Sequence, residues 1–218
     1  MSALLQFWDS TIGKKWVMAV TGIGLVGFTL AHMAGNLQVF LGASVFNDYA
    51  HKLQSLGPLL WAARIGLLVM AVLHIISALQ LTARAKAARP QGYAKQVPQV
   101  STLASRVMRI GGVILAAFII FHILHFTTGQ LHPAFSKGGA YGNVVLGFKV
   151  WWVAVFYIVA MSFLGLHLYH GVWAGARTLG LAKPSPTPMQ RSLALGLAII
   201  IWAGFIAVPL GVLFGIVD

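Results

Sequence analysis

Residues 150–173 read VWWVAVFYIVAMSFLGLHLYHGVW, twenty-four positions without one acid, lysine or arginine. Coiled as an α-helix they extend about 36 Å at 1.5 Å per residue, enough to cross the roughly 30 Å hydrocarbon core of a bilayer. The run predicts a membrane-spanning helix. Its anomaly is a pair of imidazoles, His167 and His170, three apart in an apolar setting.

Four further runs share this character, at about 16–41, 59–81, 110–128 and 192–216. The segments between them, such as GASVFNDYAHKLQSLGP, GQLHPAFSKGGAYGNVVLG and GLAKPSPTPMQR, carry the Gly, Pro and Ser of loops. The expectation is an all-α membrane protein of five transmembrane helices in one integral membrane domain, residues 1–218. Composition agrees: 59% of residues are hydrophobic and 8% charged, against about 25% charged in a soluble domain. The net charge of +12 sits between the apolar runs, as flanks of membrane spans, and needs no nucleic acid. The absence of cysteine excludes thiol-held iron–sulfur clusters, covalent haem attachment, disulfides and thiol catalysis in this chain. Asp9 and the length of the following run argue against a signal peptide.

The bases also set the expected orientation. The N-terminus and the second and fourth connections hold Lys14, Lys15, Arg84, Lys86, Arg89, Lys95, Arg106, Arg109, Arg177, Lys183 and Arg191. The opposite side holds only Lys52, Arg64, Lys137 and Lys149. Eleven against four predicts a cytoplasmic N-terminus and an outer C-terminus. In the first outer connection, Phe46, Tyr49, Leu53 and Leu56 recur at helical spacing, which predicts a short interfacial helix. GIGLVG, Gly22 to Gly27, matches a dinucleotide-binding pattern but lies inside the first span without a preceding strand. It reads as small residues for close helix approach.

Six of the eight histidines fall in spans: His32, His74, His122, His125, His167 and His170. His51 and His132 fall in outer loops and need no explanation at this level. Ionisable groups at membrane depth are costly and turn toward a bundle interior or a bound group. At 1.5 Å per residue, His32 lies about 22 Å and His122 about 19 Å from the cytoplasmic start of their spans. His74 and His167 lie about 22 Å and 26 Å from the outer start of theirs. The four sort into an outer level, His32 with His122, and an inner level, His74 with His167, about 10–18 Å apart. Two facing pairs on four helices suit two planar macrocycles, each with an axial imidazole above and below, hence two b-type haems serving electron transfer. A zinc site would need three or four ligands at one point. A proton relay would normally include carboxylates, and no span holds Asp or Glu.

Within each His-x-x-His pair the deeper member, His122 or His167, is the better ligand. The shallower one, His125 or His170, is placed to hydrogen-bond a propionate or a quinone. Gly171 after His167, Gly35 after His32 and Ala78 after His74 are small residues one turn from a ligand, expected to leave room for a flat ring. Asn36 and Gln38 are candidates to serve the outer haem or a ligand beside it.

The motifs STIGKKWVMAVTG, HMAGNLQVFLG, FNDYAHKL, WAARIGLLVMAVLH, ARAKAARPQGY, SRVMRIGG, FHILHF and HLYHGVW run from about residue 10 to 180. In combination the chain resembles the cytochrome b membrane anchor of succinate:quinone oxidoreductase and fumarate reductase, in its single-polypeptide, two-haem, five-helix form. The resemblance implies haem ligation by His32, His74, His122 and His167, with the first four spans forming the haem-binding bundle. It implies a flavoprotein and an iron–sulfur subunit docked on the cytoplasmic face, with electrons passing to membrane quinone, menaquinone by the two-haem form. A higher oligomer of the complex is compatible with it. The chain itself is then the membrane subunit of the enzyme and holds no dicarboxylate site.

Under the same resemblance Trp8, Ser10, Thr11 and Lys14 are candidates for a quinone site near the inner haem, and Asp48 and Tyr49, with His51, for one near the outer. Arg106, Arg109 and Arg177 are candidates for the inner propionates, Arg64 and Lys149 for the outer. Two departures stand out. Ala78 replaces a glycine common after the second ligand, and the chain has no glutamate where some relatives use one. The alternatives are the cytochrome b anchor of another quinone-linked complex, a hydrogenase or formate dehydrogenase, and a histidine-lined transporter. The cytochrome of the quinol–cytochrome c complex draws its four ligands from two helices, which argues against it here.

Overall fold

The computed structural model describes residues 2–88, 91, 102–182 and 188–218. Among these every regular element is a helix. A short α1 (Ala3–Asp9) leads into α2 (Thr11–Leu37), which tightens to a 3-10 turn over Gln38–Leu41. There follow α3 (Ala43–Ser55), α4 (Pro58–Ala87), α5 (Leu103–His122) with a π turn at Ile123–Thr127, α6 (Ala140–Lys149), α7 (Trp151–Thr178) and α8 (Pro188–Leu213). Five of them, α2, α4, α5, α7 and α8, are long and apolar enough to cross a membrane. The chain is a multi-pass, all-α membrane protein.

The spans outrun the apolar stretches. α2 begins at Thr11, α4 continues to Ala87, α5 begins at Leu103 and α7 continues to Thr178, because lysines, arginines and small polar residues extend a helix past the hydrocarbon edge as readily as leucine does. Local chemistry fixes the starts. Ser10 caps α2, its Oγ accepting from the Gly13 amide at 2.8 Å, and Thr102 caps α5, its Oγ1 accepting from the Ser105 amide at 3.2 Å. Pro58 opens α4 in the first turn, where its missing N–H costs no bond.

Two connections are more ordered than their composition suggests. The expected interfacial helix is α3, with Phe46 buried but Leu53 and Leu56 exposed. The third connection, expected as plain loop, contains α6, whose Val145, Gly147 and Phe148 are buried. The bases of the second and fourth connections at Arg89, Lys95 and Lys183 lie outside the described residues.

The helices run alternately up and down. One end, the basic end, gathers Lys14, Lys15, Arg84, Arg106, Arg177 and Arg191; the far end holds α3, the π turn and α6. The main core is at the far end, where Val39, Phe46, Phe118, Phe148, Tyr157 and Val208 pack together. A smaller cluster of Met33, Leu168, Ala198 and Ile201 continues it between α2, α7 and α8. Val20, Ile23, Leu68, Val113, Ile120, Trp152 and Ile200 are exposed on the outside, as suits a surface solvated by lipid. The packing is uneven. α7 packs on α5, α2 and α8, whereas α4 packs on α2 with no comparable contact to α5 or α7 among the described residues.

Candidate functional site

Four spanning helices present imidazoles to one another in pairs. His32 on α2 faces His122 at the end of α5, ring centroids 5.8 Å apart and planes at 80°. His74 on α4 faces His167 on α7 at 6.2 Å and 55°. The grouping is the one that depth along the sequence picks out. α2 measures the distance between the levels: the His74 ring lies beside Met18 and Thr21, and His32 lies eleven residues beyond Thr21, about 16 Å along the axis. α7 measures it again, from Tyr157 beside His122 to His167 ten residues later, about 15 Å.

Each ring is held by what surrounds it. His74 Nδ1 lies 3.0 Å from the Met18 carbonyl and 3.3 Å from Thr21 Oγ1. A carbonyl only accepts, so Nδ1 carries the hydrogen and Nε2 keeps its lone pair. α4 comes close enough for this because Gly22 and Gly24 face it: a Cβ at Gly22 would lie 3.4 Å from His74 Cε1, and one at Gly24 would press on Met70 Sδ. Gly27, by contrast, faces open space. His32 Nε2 lies 3.3 Å from Asn36 Nδ2, and its ring is stacked on Phe28. His122 Nδ1 lies 3.3 Å from the Tyr157 hydroxyl. His167 has a buried Nδ1 with no hydrogen-bond partner among the described residues.

The second member of each His-x-x-His pair behaves differently at the two ends. His170 lines a crevice of about 570 Å³ at the basic end, with Lys15, Trp16, Thr102, Tyr169, Trp173, Arg177 and Arg191. Arg177 and Arg191 both lie over the Trp173 ring, at 5.9 and 5.8 Å. Among the propionate candidates Arg177 lies in this crevice, while Arg106 and Arg109 are exposed on α5 and do not line it. His125 is fully buried in the far-end core, stacked at 4.9 Å on His132. At that end Arg64 lies over Trp61 and Lys149 is exposed.

His132 corrects the reading of it as an unremarkable loop residue. It is 9% exposed, and both ring nitrogens are engaged, by the Ala134 amide at 3.1 Å and the Asn143 carbonyl at 2.8 Å. Gly35 is corrected as well. Instead of leaving room for a ring, it is covered by Tyr49, whose hydroxyl and aromatic carbons lie where a Cβ would go. Gly171 has nothing within 4 Å of a Cβ, so no protein atom fills the space in front of it.

Among the remaining residues singled out from sequence, Lys14 is 2% exposed, its ammonium 4.4 Å above the Trp8 ring. Ser10 is occupied as a cap, and Thr11 Oγ1 accepts from Arg84 at 3.4 Å. Asp48 and Tyr49 line a far-end pocket of about 310 Å³ with Gln38, Val45 and Lys52. His51 is exposed. Sequence reasoning missed Tyr157, although a phenol ten residues before His167 in an acid-free run was a visible signal. It also missed buried Ser77 and half-buried Gln80 on α4, each with a buried oxygen that has no partner among the described residues.

Chemically this is two pairs of facing imidazoles. Among the described residues no three His, Asp or Glu side chains converge on one point. The chain matches no protein-family model, no curated protein and no solved structure.

Proposed function

We propose that this chain is a dihaem cytochrome b membrane anchor of succinate dehydrogenase, passing electrons from an iron–sulfur subunit to membrane quinone. The observation that carries the reading is the pair of imidazole pairs, on four helices and about 16 Å apart along α2. A metal–imidazole bond is about 2 Å, and the ring centre lies about 1 Å beyond its nitrogen. Two imidazoles on opposite faces of one haem iron therefore have centroids about 6 Å apart. The spacings of 5.8 and 6.2 Å fit. The open space at Gly171 and the unpacked side of α4 supply room for flat groups, and the resemblance of the sequence motifs supplies the physiological partner reaction.

In this reading His32 and His122 would hold one haem b, and His74 and His167 the other, and these groups would supply reversible one-electron chemistry. The chain's residues do the rest. The Met18 carbonyl fixes the His74 tautomer, and apolar walls exclude water. The Lys15, Arg177 and Arg191 crevice attracts carboxylates at the basic end. That end is cytoplasmic by its charge, and there the flavoprotein and iron–sulfur subunits dock. Trp8 and Lys14, beside Ser10 and Thr11, mark the near quinone site, and Asp48 with Tyr49 the far one; menaquinone is the expected substrate.

The test is haem content per chain, from reduced-minus-oxidised spectra of the purified complex. Two b haems are expected, and a chain purified without any would overturn the reading.

A further inference from the structure

The two histidine pairs are braced differently. His74 leans on a backbone carbonyl, whereas His122 leans on a phenol that is itself shared. Tyr157 Oη lies 3.3 Å from His122 Nδ1 and 3.1 Å from His125 Nδ1, in a site where Tyr157 is 6% exposed and His125 fully buried. A phenol has one hydrogen to give. One imidazole therefore donates to Tyr157 and the other accepts from it.

The surroundings hold this arrangement in place. Beyond His122 the helix widens to a π turn, in which the Thr128 amide reaches back five residues to the Ile123 carbonyl at 2.9 Å. π turns are frequent at functional sites. His132 closes the other side of His125. Its Nδ1 accepts from the Ala134 amide, so its Nε2 carries the hydrogen given to the Asn143 carbonyl. No ring atom of His132 is left to exchange hydrogens with His125. Gly147 lets α6 come down on both rings: a Cβ there would lie 3.0 Å from His125 Cε1 and 3.1 Å from His132 Nε2.

The direction of the chain of hydrogens follows from the proposed haem-binding role, on which this inference rests. Coordination through His122 Nε2 requires the hydrogen on Nδ1. Nδ1–H then donates to Tyr157, and the Tyr157 hydroxyl donates to His125 Nδ1. The His125 hydrogen is left on Nε2, the nitrogen that is buried without a partner among the described residues. From this geometry we infer that Tyr157 and His125 are positioning residues that fix the tautomer and the electron-donating strength of His122. The far haem is thereby tuned through a side-chain relay, and the near one through the backbone. A hydrogen bond accepted from a ligand's second nitrogen raises that ligand's basicity and favours the oxidised metal; removing it raises the reduction potential.

Redox titration of the purified complex, followed in the visible spectrum, tests this. Tyr157→Phe keeps the ring and its aromatic neighbours and deletes only the hydroxyl. Both haems are expected to remain. The component that His32→Ala abolishes is expected to titrate at a higher potential than in the parent, and the other to stay in place. His125→Leu is expected to move the same component upward by less, and to add nothing in the Tyr157→Phe background. Unmoved potentials in Tyr157→Phe overturn the inference, as does a His125→Leu effect of equal size in both backgrounds. Should Tyr157→Phe fail to assemble, His125→Leu alone decides: a shift confined to the far component supports the relay, and no shift overturns it. A parent without haem is a different result, which overturns the proposed function itself.

Discussion

The imidazole of His74 donates its Nδ1 hydrogen to the Met18 carbonyl of the neighbouring helix, 3.0 Å away. One bond thus ties α4 to α2 and sets which nitrogen of His74 keeps a lone pair. Thr21 Oγ1, at 3.3 Å, is a secondary partner that already donates to the Val17 carbonyl. Thr21→Val is expected to cost no more than about 1 kcal/mol and to leave both haems bound. Thermal unfolding in detergent and haem content per chain check the two halves of that statement.

His167 and His170 separate by place. The first faces His74; the second lines the basic crevice. His167→Ala is expected to lose one of two haems, while His170→Ala keeps both. Pyridine haemochrome assay of the purified complex gives the count. The reverse pattern would exchange their roles and bring the choice of His122 over His125 into question.

Two glycines make opposite predictions. A Cβ at Gly147 would meet three aromatic rings at 3.0–3.1 Å, so Gly147→Ala is expected to destabilise by about 1–3 kcal/mol through overpacking. A Cβ at Gly171 meets nothing. In haem-free protein Gly171→Ala is expected to be neutral or stabilising, by up to about 1 kcal/mol from helix propensity, yet to lower occupancy of the near haem. Melting of the haem-free chain, set against haem content of the loaded one, separates the effects.

The chain contains no cysteine, so single introduced thiols report its orientation without background. Ser55 at the far end and Ala88 at the basic end are both exposed. With the basic end cytoplasmic, Ser55→Cys is expected to react with an impermeant maleimide on intact cells. Ala88→Cys is expected to react only after permeabilisation. Reversed labelling would invert the proposed orientation.

The parts of the fold legible in the sequence are those encoded locally. Acid-free apolar runs of membrane length identify the spans, and counting residues along them sorts His32, His74, His122 and His167 into the levels at which they meet. What the sequence hides depends on residues distant in the chain. Nothing local to Gly35 says that Tyr49 will fold back over it. Nothing in GQLHPAFSKGGAYGNVV says that His132 will be buried under α6. The three-residue spacing of His122 and His125 does not announce a π turn, since π and α turns differ by one residue in their hydrogen bonding and share the same apolar composition. Helix ends were the other blind spot, because charged residues extend a helix beyond the apolar stretch that marks it.

Among the described residues α4 packs chiefly along α2, and under the proposed haem-binding role this bears on how the protein matures. A helix seated on one side has a free edge, and a wide, flat cofactor can enter past that edge without the bundle having to unthread. Under the proposed role, a ring held by His74 and His167 would fasten the side that protein contacts leave loose. The cofactor would then act as a rivet as well as a wire, and α4 is expected to exchange its amide hydrogens fastest among the spans before loading and to slow most on loading.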